Sequence, residues 1–204
     1  MRIRRTFRRG GRQKEAAAGA AEFGIMLRMN ANLKTTLKAW PVITAVAIAL
    51  CFATGAVSEL AFGIKLEDQA SIEQTRTVVT WLVKRLCLNA GLRWVFFKDL
   101  LSLAWMLAAL VVVVPLFEEV VFRWILWRLP RPGLPLVPAI TSSALFSAAH
   151  YIMMPWPNNA FVALFFFGMA QCWLYRKTDA LWCPVLNHGL FNATNLVIIF
   201  AFPS

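Results

Sequence analysis

Leu100–Trp124 reads LLSLAWMLAALVVVVPLFEEVVFRW, an apolar run of eighteen residues closed by two adjacent carboxylates and, four residues on, an arginine. The run is long enough to cross most of a bilayer as a helix, and charges within or at the end of such a span usually face a protein interior and mark function. Helical phase separates the two acids. Glu119 and Arg123 lie four apart on one face and can pair along the helix, whereas Glu118 is turned about 100° away from Glu119.

Similar apolar runs recur along the chain. A first span is expected from about Trp40 to Val57, a second from Leu100 into the acidic pair, a third between Leu136 and Met154, a fourth from Ala160 to Tyr175 and a fifth from Leu181 to Phe200. Residues 77–97 are apolar but carry Lys84, Arg85 and Arg93, and read equally as an interfacial amphipathic helix or a sixth span. With 59% hydrophobic residues and a mean hydropathy of +0.61 over 204 residues, the chain holds more apolar surface than one small soluble core buries. The expectation is an all-α, polytopic transmembrane bundle of five to six spans in a cell membrane. Residues 39–204 form one membrane domain, and the motif-bearing core covers 100–196.

Charge sets the orientation. Residues 1–38 contain ten Lys/Arg against Glu15 and Glu22, the pattern of a disordered or interfacial basic arm held near anionic lipid on the cytoplasmic side. Arg123, Arg128 and Arg131, and the Arg176–Lys177 turn, share that side under the positive-inside rule. The uncharged MMPWPNN turn, residues 153–159, faces the other. Nothing in the arm has the form of a folded nucleic-acid module, so no nucleic-acid partner is expected. RRTFRRG at 4–10 is read as an orientation signal rather than a cleaved export signal. Cys51, Cys87, Cys172 and Cys183 show no CxxC spacing and read as small core residues.

The remaining intramembrane polar groups form a pattern. Phe146 and His150 share a face of the third span; His188 and Asn192 share a face of the fifth, with Asn195 beyond. Counting about 1.5 Å per residue from boundaries near Arg128, Ala139 and Ala180 puts Glu118, His150 and His188 roughly 15, 16 and 12 Å deep. Three ionisable groups on three helices converge on one level, in a cavity expected to open toward the cytoplasm.

In this order, Glu118-Glu119-x-x-x-Arg123, Phe146-x-x-x-His150 and His188-x-x-x-Asn192 resemble the three motifs of the CPBP intramembrane glutamic endopeptidases. That family includes the CAAX prenyl endopeptidase and bacterial bacteriocin-processing and Abi-type proteins. FFFGMAQCWLYRKTDALWCPVLNH, residues 165–188, is similar to the family's approach to its third motif. The resemblance covers about residues 100 to 196; larger members have about eight spans, and the segment before the acidic pair aligns with nothing in the family. It implies a metal-independent protease without cofactor, acting on a membrane-associated peptide or protein: a peptide precursor, a sorting tail or a CAAX-like tail. Glu118 would be the general base, His150 would share the hold on the water, His188 and Asn192 would stabilise the oxyanion, and Glu119, Arg123 and Phe146 would support the site.

Two alternatives stay open on sequence. Glu118, His150 and His188 are also three possible ligands of an open zinc site, although no HExxH is present. A non-catalytic scaffold or immunity protein of the same fold would keep the same polar network. Transport fits less well, since no inverted repeat is visible.

Overall fold

A computed structural model describes residues 3–63, 93–126, 136–153 and 160–201, with the isolated residues Thr77, Thr80, Trp81 and Lys84. Among the described residues the regular structure is helical throughout. Helix α1 runs from Ile3 to Phe62. Helix α2 (Arg93–Ala108) continues through a π-helical segment, Ala109–Val113, into α3 (Val114–Glu119) and a second π segment, Val120–Ile125. Helices α4 (Val137–Met153), α5 (Phe161–Thr178) and α6 (Trp182–Ala201) follow.

The last three helices lie within a few residues of the expected third, fourth and fifth spans. The first differs. The backbone of the basic arm is helical and joins the apolar part of α1 without a break, through Pro41. Most of residues 78–92, the Arg128–Arg131 charges, Cys87 and most of the MMPWPNN turn lie outside the described residues.

Among the described residues, two helical stretches are long and apolar enough to cross a membrane, Gly24–Ala61 and Lys98–Ile125, at 38 and 28 residues. Their large apolar side chains point outward: Val42, Phe52, Val57, Leu101, Trp105, Val112 and Phe117 are all exposed. A folded chain in water rarely shows so much contiguous apolar surface.

The core gathers around α5, which packs against α4 on one side and α1 on the other, while α6 closes against α1, α5, α3 and the first π segment. Phe146, Phe167 and Ala47 form its centre, with Ile43, Phe122, Leu164 and Phe191 packed around them. The α5–α6 turn is short because Asp179 adopts the left-handed conformation (φ 51°) and its N–H returns to the Tyr175 carbonyl at 2.8 Å. Arg176 and Lys177 in the preceding turn complement the helix C-terminus.

Small residues set the closest approaches. A Cβ on Gly168 would stand 3.0 Å from that of Ser143, so α5 and α4 meet backbone to backbone there. At Gly189 a Cβ would collide with the Val111 carbonyl of the first π segment. Gly189→Ala is therefore expected to push α6 off that segment. The expected loss is on the order of 1–3 kcal/mol of stability, the usual range for overpacking, read as a lower thermal midpoint of the purified protein in detergent.

Candidate active site

The helix bearing the acidic pair departs from α geometry on both sides of it. In the first π segment the Val114 N–H bonds to the Ala109 carbonyl, five residues back. The Leu110 carbonyl thereby loses its α-helical donor, and its π-helical donor would be Pro115, which has no N–H. Asn192 supplies the missing partner: its Nδ2 donates to the Leu110 oxygen at 2.8 Å from across the α6 interface. At the second segment the Leu126 N–H reaches back to Val121, and the Phe122 carbonyl is taken up by Ser142 Oγ of α4 at 2.6 Å. Single π turns inside helices commonly occur at functional sites, and here they flank Glu118 and Glu119.

Between them the two carboxylates do different things. Glu119 is fully buried and pairs with Arg123 Nε at 3.1 Å, also fully buried. Its second oxygen accepts from His188 Nδ1 at 2.9 Å. Arg123 is held further by the Gly168 carbonyl, to which Nη2 donates at 3.3 Å, and by the Phe146 ring, whose centroid lies 4.6 Å from the guanidinium carbon. Glu118 is only partly buried and stands between two imidazoles. Its Oε1 is 3.5 Å from His150 Nε2 and its Oε2 is 3.5 Å from His188 Nε2.

The hydrogen bonds determine which ring nitrogen carries the proton. His150 Nδ1 stands 2.9 Å from the Phe146 carbonyl; a carbonyl only accepts, so Nδ1 is the N–H and Nε2 of the neutral ring is a free acceptor facing Glu118. His188 Nδ1 donates to the Glu119 carboxylate in the same way, so its Nε2 becomes a donor only in the imidazolium form. Phe146 lies against both rings, with centroids 4.5 Å from His150 and 5.9 Å from His188, and Phe167 covers His188 at 5.1 Å. These contacts hold the imidazoles against rotation.

Glu118, Glu119, Arg123, Phe146, His150 and His188 thus form one connected cluster, and Asn192 reaches the same helix about two turns before the acidic pair. Asn195 does not join them; its Nδ2 turns back to the Phe191 carbonyl at 3.1 Å. Three links were not visible in sequence. Glu119 bonds His188 as well as Arg123, Gly168 offers its carbonyl to Arg123, and Asn192 serves a carbonyl opened by Pro115. Pro115, four residues after Val111 in an unbroken apolar helix, was the one local signal of the last. Among the described residues, no group of three or more His, Cys, Asp or Glu side chains is arranged to hold a metal ion, and Cys51, Cys172 and Cys183 are free thiols.

Among the described residues the regular structure is helical, and a carboxylate stands between two histidines of separate helices. Residues 100–194 match the family model described as type II CAAX prenyl endopeptidase Rce1-like. The resemblance carried by the motifs is thereby shown over that segment, and it supports a membrane protease type of function. No curated protein matches the chain. No solved structure matches it.

Asn192→Leu leaves the Leu110 carbonyl without a donor. Such a loss costs roughly 1–3 kcal/mol when the orphaned group is buried. The expected result is a lower thermal midpoint together with reduced peptide cleavage, and Asn192→Gln, which keeps a carboxamide, is expected to recover part of both.

Proposed function

We propose that this chain is a polytopic intramembrane endopeptidase of the glutamic type, hydrolysing a peptide bond in a membrane-associated substrate without a metal ion. The observation that carries the proposal is Glu118 standing 3.5 Å from both His150 Nε2 and His188 Nε2 on separate helices. A structural ion pair needs one partner; a carboxylate facing two imidazoles, beside a fully neutralised Glu119–Arg123 pair, is poised for proton transfer.

In this reading a water held by Glu118 and the free Nε2 of His150 gives its proton to Glu118 as its oxygen attacks the scissile carbonyl carbon. The carbonyl π electrons move onto oxygen. The imidazolium of His188, oriented by Glu119, donates from Nε2 to that oxyanion, and the second amide hydrogen of Asn192 is available for the same charge. When the carbonyl re-forms, the C–N bond breaks and Glu118 returns its proton to the departing amine. Arg123 holds Glu119 through their ion pair and so keeps His188 in place.

The membrane setting is part of the proposal. Helices α4, α5 and α6, with 17, 18 and 20 residues, would span with α1 and the α2–α3 helix, and the N-terminus would face the cytoplasm. The test is cleavage of membrane-inserted peptide libraries by the purified chain in proteoliposomes, with and without exhaustive chelation. Activity that survives chelation is expected. Activity abolished by chelation and restored by zinc would replace this reading with a metalloprotease, and no cleavage of any peptide would favour a scaffold role.

A further inference from the structure

A second group of buried polar side chains begins at Asn187, the residue before His188, and the chemistry above does not use it. Gln171 and Asn187 are both fully buried, and Thr44 nearly so. Among the described residues, neither polar atom of the Gln171 amide or of the Asn187 amide, nor Thr44 Oγ1, nor Trp40 Nε1, has a hydrogen-bond partner.

The helix registers bring these four residues together. Phe167 and Phe191 stack across the antiparallel α5–α6 seam with centroids 4.4 Å apart. One turn on along α5 is Gln171, and one turn back along α6 is Asn187, so the two amides share a level on the same seam. Helix α1 runs antiparallel to α5, tied at one end by Asn32 Nδ2, which donates to the Thr178 carbonyl at 3.1 Å, and at the other by Ala47 against Phe167. Trp40 and Thr44 lie between these ties, on the same face of α1 as Thr36, Ile43 and Ala47, and so bracket the Gln171 level. Thr44 also differs from Thr36 and Thr54, whose hydroxyls return to the carbonyls four residues back.

An amide buried in hydrocarbon without a partner is costly enough that it is almost always bonded to something. Gln171 and Asn187 share a level on the α5–α6 seam and do not bond each other. A ligand for this junction must accept from Trp40 and both amide nitrogens and donate to both amide oxygens, while Thr44 can take either role. Water does both, and binds stably where it finds two to four such partners.

We propose that the α1–α5–α6 junction is a binding site for a small group of buried water molecules. In the endopeptidase reading, on which this use of it rests, the site supplies the hydrolytic water to Glu118 past His188, the residue next to Asn187. A hydrolase within lipid consumes one water per turnover and needs such a reserve close by.

Two buried cysteines allow a direct test on the full chain in nanodiscs by X-ray radiolysis, in which hydroxyl radicals born from bound water oxidise the side chains beside it. Cys183 is buried one turn from Asn187, whereas Cys172, equally buried, faces Ser143 and Ala139 of α4. Cys183 is expected to oxidise roughly tenfold faster than Cys172, as a bound-water neighbour should. In the Gln171→Leu, Asn187→Leu double variant its rate should fall to that of Cys172, and kcat for peptide cleavage should fall several-fold with KM unchanged. Equal rates for the two cysteines in the unaltered protein would overturn the site, whether or not the variant folds. A folded double variant with undiminished kcat would overturn the supply role. Fast Cys183 labelling in a chain that cleaves no peptide would instead refute the endopeptidase reading and leave the hydration site standing.

Discussion

Glu118→Gln is expected to lower peptide cleavage by between about a hundredfold and ten-thousandfold, the span over which a positioned general base contributes. The substitution is nearly isosteric, and Glu118 makes no ion pair with Arg123, so folding and membrane insertion should be retained. The carboxamide still fills the space between the two imidazoles but has no carboxylate to accept the proton of water. Thermal unfolding measured beside turnover separates the two effects: an unchanged midpoint with lost activity is the expected pair. A fully active Glu118→Gln protein would remove the carboxylate from the chemistry.

Arg123→Leu is expected to act in the opposite order, on stability first. Glu119 and Arg123 are both completely buried, and removing one member of such a pair leaves the other as an uncompensated charge, typically at a cost of about 3–5 kcal/mol. The damage should spread further than the pair. The arginine also bonds the Gly168 carbonyl and lies over Phe146, and Glu119 orients His188. Midpoint and activity should therefore fall together. The double variant Glu119→Gln, Arg123→Leu, which removes both charges, is expected to recover much of the midpoint while activity stays low, because His188 has then lost its charged anchor. Recovery of full activity would show that the Glu119–His188 contact is not needed for cleavage.

Much of the outline was legible because the apolar runs are separated by proline and charge, which end them sharply. That is why α4, α5 and α6 lie within a few residues of their expected limits. The Glu119–Arg123 pair followed from four-residue spacing alone, since both residues are on one helix. The common level of Glu118, His150 and His188 followed from counting rise per residue.

What escaped was everything decided by one helix meeting another. The Glu119–His188 bond joins residues far apart in sequence, and no local periodicity encodes it. The π segments around the acidic pair need tertiary partners, Asn192 and Ser142, to satisfy the carbonyls they expose. Asn192 was expected to be an oxyanion donor because the family resemblance implies it; in the fold one of its two amide hydrogens is already committed to the Leu110 carbonyl. The helical continuity of α1 through Pro41 was hidden for a different reason: the charge-rich composition of residues 1–38 resembles a solvated arm, and composition does not report that Thr36 is buried and that Asn32 bonds α5.

Single-turnover cleavage in water enriched in oxygen-18, with protein in excess over a membrane-inserted peptide, bears most directly on the claim that Glu118 activates water. Attack by a Glu118-bound water places one heavy oxygen in the new carboxylate of the product and none in the protein. Heavy oxygen appearing in the Glu118 carboxylate after one turnover would mean that this side chain had itself attacked the peptide, and would contradict the account.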